Sequence, residues 1–93
     1  MYAIVLHVTI KQGRDEDAAN ELKNVVVPSA KAAPGFQSAY WARELGRQGG
    51  IAIELYDTKE HAEEELGRRS DGPPPDAAVT LDSASVFEVL ASA

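Results

Sequence analysis

Four side chains have the chemistry to bind or transform a small molecule, and all four fall on predicted strands. His7 lies in the apolar run Met1–Ile10, and an imidazole can take a proton from a phenol near neutral pH. Trp41 and Arg43 are two residues apart and share one face of a strand, where they could hold a flat aromatic anion. Tyr56 ends another strand, where its phenol could cap a pocket.

Each of these residues also has a structural interpretation. His7 could be a buried histidine satisfied by a neighbouring strand, with Glu54 as its partner if the first and third strands are parallel. Trp41 could lie at a dimer interface with Arg43 solvated at the rim, because aromatic residues are common in such interfaces. Tyr56 could simply pack, and the sequence leaves both interpretations open for each residue.

Other motifs carry weaker signals. His61 and Glu65 share a helix face and could contact a metal, but a metal site usually needs three or four ligands, so we expect a solvated acidic face and no metal. Arg68 and Arg69 are interpreted as charges that complement a helix end. The segment Gly46–Gly50 is predicted to be a hairpin, because a strand follows it where a phosphate loop would need a helix.

Composition limits the classes of protein that the chain can belong to. Its 93 residues fit one domain, 1–93, and its net charge of −6 argues against nucleic acid and anionic lipid as partners. It has no cysteine, which excludes disulfides and thiolate chemistry. No apolar stretch approaches the roughly 20 residues of a membrane span, and no signal peptide is visible. We expect a cytoplasmic protein.

Hydrophobic periodicity places the candidate residues on an α+β domain. Period-two alternation predicts strands, and apolar residues at helical spacing behind acidic side chains predict helices. The predicted elements are strand Met1–Ile10, a helix from Asp15 that Pro28 interrupts, strands Phe36–Leu45 and Ile51–Tyr56, a helix capped by Asp57 and running to about Gly67, and a strand Val79–Leu90 bent near Ser83–Ser85. This βαββαβ order predicts a ferredoxin-like fold, a four-stranded antiparallel sheet with two helices on one face.

Apolar residues on both sides of the sheet predict a second copy. Met1–Ile10 is apolar on both faces, and Trp41 and Tyr56 alternate opposite apolar sets on their strands. Two helices cover only one face, and a chain of 93 residues has a limited core. We therefore expect a homodimer that packs sheet to sheet.

Several segments together resemble a known family. They are Pro34-Gly35-Phe36 entering a strand, Tyr40-Trp41-Ala42-Arg43, the glycine hairpin, Ile51–Tyr56 running into Asp57-Thr58-Lys59-Glu60, and Val86–Leu90. Along nearly its whole length the chain resembles the antibiotic biosynthesis monooxygenase-like proteins of the dimeric α/β barrel superfamily. The resemblance implies a homodimer whose sheets form a joint barrel, with a pocket in each subunit between sheet and helices.

The resemblance also implies a function. It suggests a cofactor-independent monooxygenase that acts on a polycyclic aromatic or phenolic molecule. Under this hypothesis the residues considered above supply His7 and Tyr56 as candidate catalytic residues, and Trp41 and Arg43 as candidates for binding the substrate. Haem-degrading relatives place a Trp and a ligating His on or after the second helix, whereas here Trp41 lies on a strand and His61 near that helix's start, so no cofactor is expected. The alternative is a non-catalytic homodimer that binds a hydrophobic molecule or has a structural role.

Overall fold

The structure, a computed structural model, describes all of residues 1–93. The strands are β1 Tyr2–Ile10, β2 Phe36–Arg43, β3 Gly49–Tyr56 and β4 Val79–Glu88. The helices are α1 Asp15–Glu21, α2 Val27–Ala32 and α3 Lys59–Arg69, and a π-helical segment Leu22–Val26 joins α1 to α2. Residues 15–32 are called the first helical stretch below. The order confirms the predicted ferredoxin-like α+β fold, and no helix is long and apolar enough to cross a membrane.

All neighbouring strands of the sheet are antiparallel, in the order β2-β3-β1-β4. The expectation that the first and third strands pair in parallel was wrong. The first helical stretch returns the chain so that β2 runs parallel to β1, and the hairpin then reverses it to place β3 between them. In this register Glu54 is opposite Ile4, while His7 is opposite Ile51 and Ser83.

The bend predicted in the last strand is a β-bulge. The pairing of β1 with β4 shifts by one residue, because His7 is opposite Ser83 and Val8 is opposite Leu81. Asp82 is the extra residue, one position before the predicted segment, and its carboxylate accepts a 2.7 Å hydrogen bond from the Thr9 hydroxyl. The bulge therefore lies on β4, an edge strand of the sheet, and is tied to β1 by this hydrogen bond.

The sequence predicted that Pro28 interrupts the first helical stretch, but the helical backbone continues through it. Proline lacks a backbone N–H and crowds the carbonyl four residues earlier, so it normally kinks a helix. Here the π-helical segment Leu22–Val26 ends two residues before Pro28. Its wider turns shift the backbone pairing by one residue, and the chain continues as α2 without the hydrogen bond that Pro28 cannot make.

Helix α3 begins and ends one or two residues later than predicted. Thr58, not Asp57, is the N-cap, and its hydroxyl oxygen accepts a 3.1 Å hydrogen bond from the His61 backbone N–H. The helix passes through Gly67 and ends at Arg69. This extra half turn carries Arg69 back over the sheet.

The core lies between the helices and one face of the sheet. Its buried cluster is Ile4, Leu6, Ala52, Tyr56 and Ala62. Trp41 and Tyr56 belong to this helix-facing side, so the interpretation that placed them on the face awaiting a second copy was wrong. The helix-free face instead exposes Tyr40, Ile53 and Phe87.

Candidate functional site

A cavity of about 580 Å³ separates the first helical stretch from the sheet. Its walls are mostly apolar and come from all four strands, the first helical stretch, the end of α3 and the segment between α3 and β4. The apolar side chains that face each other across it are Leu6, Val8, Ile10, Ala18, Leu22, Val25, Val26, Val79 and Leu81. A partly open, mostly apolar space of this size with a few charged side chains in its lining has the properties of a small-molecule pocket.

Two small residues of β3 explain why the space is open. Gly50 and Ala52 line the cavity where larger side chains would fill it. Above them, no residue of α1 or of the π-helical segment is buried, and Val25 is 60% exposed. The apolar stripe of the first helical stretch therefore faces a void instead of packing on the sheet.

Trp41 and Arg43 share one face of β2, as their spacing predicted, and both line this cavity. They point to the helix side of β2, where Trp41 is opposite Ala52 and Arg43 is opposite Gly50. The small partners on β3 leave room for the indole ring. An aromatic face and a guanidinium on one wall provide stacking and charge for a flat anion.

Arg43 lies at the mouth of the cavity. Its side chain is 57% exposed, and its Nη1 lies 3.5 Å from Oδ2 of Asp15 at the start of α1. An exposed pair with this long separation stabilises little, typically below about 1 kcal/mol. An anionic ligand can therefore compete with Asp15 for the guanidinium at little cost.

Glu21 is the carboxylate of the lining, and it already has partners. Both of its carboxylate oxygens accept hydrogen bonds from the backbone N–H of Ala78, at 3.0 and 3.1 Å. Nη2 of Arg14 lies 3.6 Å from the same carboxylate. Glu21 thus fixes the first helical stretch to the segment before β4 and is not free to act as a base.

Beside the cavity lies a buried network of charges that connects β3 to the end of α3. Arg69 donates from Nη1 and Nη2 to the two oxygens of Glu54, at 3.0 and 3.1 Å, and from Nε to Glu65 at 2.7 Å. Arg68 donates to the other oxygen of Glu65 at 2.8 Å. Two carboxylates and two guanidinium groups balance each other, which is the condition under which buried charges are tolerated.

Tyr56 belongs to this network. Its hydroxyl donates a 3.0 Å hydrogen bond to Glu54, and the residue is fully buried. Burial, then the Glu54 charge and this hydrogen bond, raise the pKa of Tyr56 well above its usual range. Burial alone would lower the pKa of Arg69, but Glu54 and Glu65 outweigh it and the net direction is upward. Tyr56 therefore stays a neutral phenol.

His7 and Tyr56 are not brought together within the protomer. His7 lies on the helix-free face of β1, exposed, whereas Tyr56 lies on the helix side of β3. Glu54 faces away from His7 because it is opposite Ile4 on the other side of the sheet. Of the four residues singled out from sequence, the cavity therefore contains Trp41 and Arg43.

The His61 and Glu65 pair does not form a metal site. Nδ1 of His61 donates to Oδ1 of Asp57 at 2.7 Å, and Glu65 is occupied by Arg68 and Arg69. No group of three or more His, Asp or Glu side chains is arranged to hold a metal ion. The hydrogen bond from His61 lowers the pKa of Asp57.

Sequence reasoning missed the Glu54–Arg69 pair and the role of the small residues on β3. The pairing of Glu65 with Arg69 had a local signal, because oppositely charged residues four apart on a helix face each other. Glu54 lies 15 residues from Arg69, so no local pattern could have joined them. Gly50 and Ala52 would have indicated a cavity only once the sheet register was known.

Comparisons with known proteins agree with this fold. The model of the family described as antibiotic biosynthesis monooxygenase matches residues 1–67. A crystal structure of a variant of MhuD, with two manganese protoporphyrin IX molecules bound per active site, matches with a TM-score of 0.71. That match covers 100% of this chain and 98% of that one at 12% sequence identity, so it establishes the fold. No curated protein sequence matches. Because the family model spans most of its length, the chain belongs to the antibiotic biosynthesis monooxygenase family.

Proposed function

We propose that the chain binds a flat, largely apolar aromatic anion in the cavity and oxidises it with O₂ without a bound cofactor. The observation that carries the proposal is the apolar cavity of about 580 Å³ with Trp41 on its wall and Arg43 at its mouth. Family membership supports a monooxygenase-type or small-molecule-binding function at a coarser level. The oxidation and the substrate class are the finer steps proposed here.

In such a reaction the substrate itself supplies the electrons. A CH₂ group between two aryl rings loses two hydrogens and becomes a ketone; one oxygen atom of O₂ enters the new C=O and the other leaves as water. The protein would hold the ionised substrate beside Arg43 and exclude bulk water with the apolar walls. Anthrone, which would become anthraquinone, is a suitable test substrate.

Haem iron does not fit the residues that line this cavity. The axial ligand of haem iron is a His, Cys, Met or Tyr side chain. None of these types is present among the lining residues, and His7 and His61 lie elsewhere. No step of the proposed chemistry therefore uses haem, although the MhuD variant holds a manganese porphyrin.

The identity of the base is a separate proposal. His7 lies outside the cavity of its own protomer, so it can act as the base only if substrate reaches the helix-free face. Full turnover of a true substrate by His7→Ala would show that the base is elsewhere. The role of Tyr56 is tested by the turnover of Tyr56→Phe, which lacks only the hydroxyl that donates to Glu54. Full turnover of this variant would show that the Tyr56 hydroxyl takes no part in catalysis.

Binding is tested with the chain's own fluorescence. Trp41 is the sole tryptophan and lines the cavity, so quenching of its emission reports occupancy directly. We expect 2-naphthoate to quench it, and Arg43→Gln to weaken that binding by about tenfold while leaving 2-naphthamide unaffected. Arg47→Gln, on the hairpin and outside the cavity, is the matched control. Equal affinities of Arg43→Gln and the original chain for 2-naphthoate would contradict the anion site.

Oxidation is tested with anthrone in air, by O₂ uptake and by incorporation of ¹⁸O from labelled O₂ into anthraquinone. Ala52→Leu, which places a larger side chain in the cavity, should abolish the enzymatic rate if it folds as judged by circular dichroism. Binding without any O₂ uptake would favour the second candidate, a non-catalytic binding protein. The observation behind that candidate is that the one lining carboxylate, Glu21, already accepts two hydrogen bonds.

Dimerisation is also proposed. The helix-free face exposes Tyr40 at 76%, Phe87 at 54% and Ile53 at 39%, on three different strands. Scattered exposed apolar residues are normal, but a contiguous group on one sheet face is typical of an interaction surface. A second copy packed on this face would cover it.

A further inference from the structure

We propose that residues 15–26, the first part of the first helical stretch, form a lid that opens on the side of the cavity nearest β2. The lid stays attached to the segment before β4, and the pair of Asp15 and Arg43 holds its other edge closed. An anion that binds Arg43 releases that edge. This inference rests on the binding function proposed above and adds how a ligand reaches the cavity.

The lid does not pack on the sheet. None of its residues is buried, because the cavity of about 580 Å³ lies beneath its apolar side. The buried residue of the first helical stretch is Ala30 in α2, beyond the lid. Apolar burial is what normally holds a helix against a sheet. The lid lacks it and depends on the polar contacts along its two edges.

The edge toward β4 is held firmly. Arg14, which precedes α1, donates from Nη1 to the carbonyl oxygens of Asp76 and Ala77, at 2.8 and 3.1 Å. Two turns along, Glu21 accepts at 3.0 and 3.1 Å from the N–H of Ala78, a fully buried residue. Arg14 and Glu21 are seven residues apart and lie on the same side of the helix. Hydrogen bonds to charged groups are stronger than neutral ones, so this edge is the fixed one.

The edge toward β2 is held by one ion pair. Asp15 is turned about 100° from Arg14 around the helix axis, and its Oδ2 lies 3.5 Å from Nη1 of Arg43. Both side chains of the pair are at least half exposed, so the pair contributes little and is screened by salt. Because β2 and β4 are the two edge strands, the lid spans the sheet between a firm and a weak attachment. The weak attachment opens first.

The π-helical segment Leu22–Val26 lies where the lid meets α2. Helices bend at irregular turns of this kind, which are common at functional sites. The lid can therefore turn while α2 stays in place. An anionic ligand that binds Arg43 displaces Asp15, whereas a neutral ligand enters only when the pair opens by itself.

The first test measures how fast a neutral probe enters and leaves. N-phenyl-1-naphthylamine is uncharged and fluoresces in apolar surroundings, so stopped flow can follow it. We expect Asp15→Asn to raise its association and dissociation rate constants about threefold each, the factor that an exposed ion pair contributes, and to leave the Kd unchanged. Glu16→Gln is the matched control. It removes an exposed carboxylate from the same helical turn that forms no ion pair, and its rate constants should equal those of the original chain.

Salt separates the two edges. Between about 0.05 M and about 0.5 M NaCl the association rate constant should rise in the original chain, because screening weakens the pair, and stay level in Asp15→Asn. Arg14→Gln weakens the fixed edge but keeps the pair, so its salt dependence should persist. A salt dependence that is lost in Arg14→Gln and kept in Asp15→Asn would place the opening on the β4 side and overturn the proposal.

Hydrogen exchange follows the lid without any ligand. The amides of residues 15–26 should exchange faster in Asp15→Asn than in the original chain, and those of α3 equally fast in both. Unchanged rate constants of the probe in Asp15→Asn would overturn the lid and leave the cavity as a binding site. If the probe does not bind to the original chain, the proposed binding function fails, and the exchange of residues 15–26 then decides whether the lid opens.

Discussion

Glu54 in β3 and Arg69 at the end of α3 are joined by two hydrogen bonds of 3.0 and 3.1 Å. Glu54 is fully buried, and Arg69 lines the cavity. The pair therefore ties the last turn of α3 to the sheet at the point where the cavity begins. Because α3 continues past Gly67, this contact also fixes the start of the segment that leads to β4.

Removing the charge of Glu54 should be costly. In Glu54→Gln the buried guanidinium of Arg69 keeps only Glu65 as a charged partner, and breaking a buried pair in this way costs about 3–5 kcal/mol of unfolding free energy. Urea denaturation checks the expectation. Glu63→Gln, an exposed glutamate on the same helix, is the control and should change stability by less than about 0.5 kcal/mol. A similar small effect for both variants would mean that the network contributes no net stabilisation.

Tyr56 should make the protein sensitive to alkali. Its pKa is raised in the folded state, so its contribution to stability is fully present below the ordinary tyrosine pKa of about 10 and is lost as the pH rises above it. The reason is that the unfolded chain can ionise this phenol when the folded chain cannot. The free energy of unfolding, measured from pH 8 to 11, should therefore fall less steeply above about pH 10 in Tyr56→Phe than in the original chain. Parallel slopes would show that Glu54 and burial do not hold the phenol neutral.

How much of this could be predicted is best seen on β2 and β3. Alternation correctly identified both strands and placed Trp41 with Arg43 on one face. It could not say which face meets the helices, because β1 is apolar on both sides. Trp41 and Tyr56 were therefore assigned to the wrong side of the sheet. Only the strand register shows their true side: Trp41 is opposite Ala52, which belongs to the helix-facing core, and Ile4 of that core is opposite Glu54.

The charged residues show a second limit. Glu65 was expected in water with the rest of an acidic helix, and Arg69 was expected to complement the helix end. Both are instead largely buried, because α3 continues over the sheet and meets Glu54 there. Residue type indicates how costly burial is, but the long-range partner that offsets that cost is set by the tertiary fold.

Gly35 should tolerate substitution much less well than Gly13. Both have a φ of +78°, so an alanine is equally strained in the two backbones. At Gly35 a Cβ would collide with the hydrogen-bonded side chains of Asp57 and His61, whereas at Gly13 it would meet open space. We expect Gly35→Ala to lower the thermal midpoint clearly more than Gly13→Ala, measured side by side by circular dichroism. Equal shifts would show that the strain of the backbone alone matters and that Asp57 and His61 move aside freely.

The stability of the protein at acid pH should depend on the hydrogen bond between Asp57 and His61. The pKa of Asp57 is lowered in the folded state, chiefly by the hydrogen bond from His61. Its contribution is therefore present above the unfolded pKa of about 3.9 and is lost as the pH falls below it. Below about pH 4, Asp57→Asn should lose stability less steeply than the original chain. The measurement is the free energy of unfolding from urea denaturation at each pH. The Asp71→Asn variant, an exposed aspartate that forms no ion pair in the structure, is expected to follow the original profile.

The helix-free face gives a prediction about assembly. If a second copy covers this face, Phe87→Glu places a charge where apolar side chains meet, and the protein should sediment as a monomer at micromolar concentration. Leu45→Glu is the control, because Leu45 is 91% exposed but lies beyond the end of β2, outside the sheet. It should sediment like the original chain, as a dimer, in analytical ultracentrifugation. A monodisperse monomer of the original chain would refute the dimer. A dimer that survives Phe87→Glu would instead place the interface on another surface. A glutamate buried on the proposed face would be costly, because β1, β3 and β4 contain no Lys or Arg to pair with it.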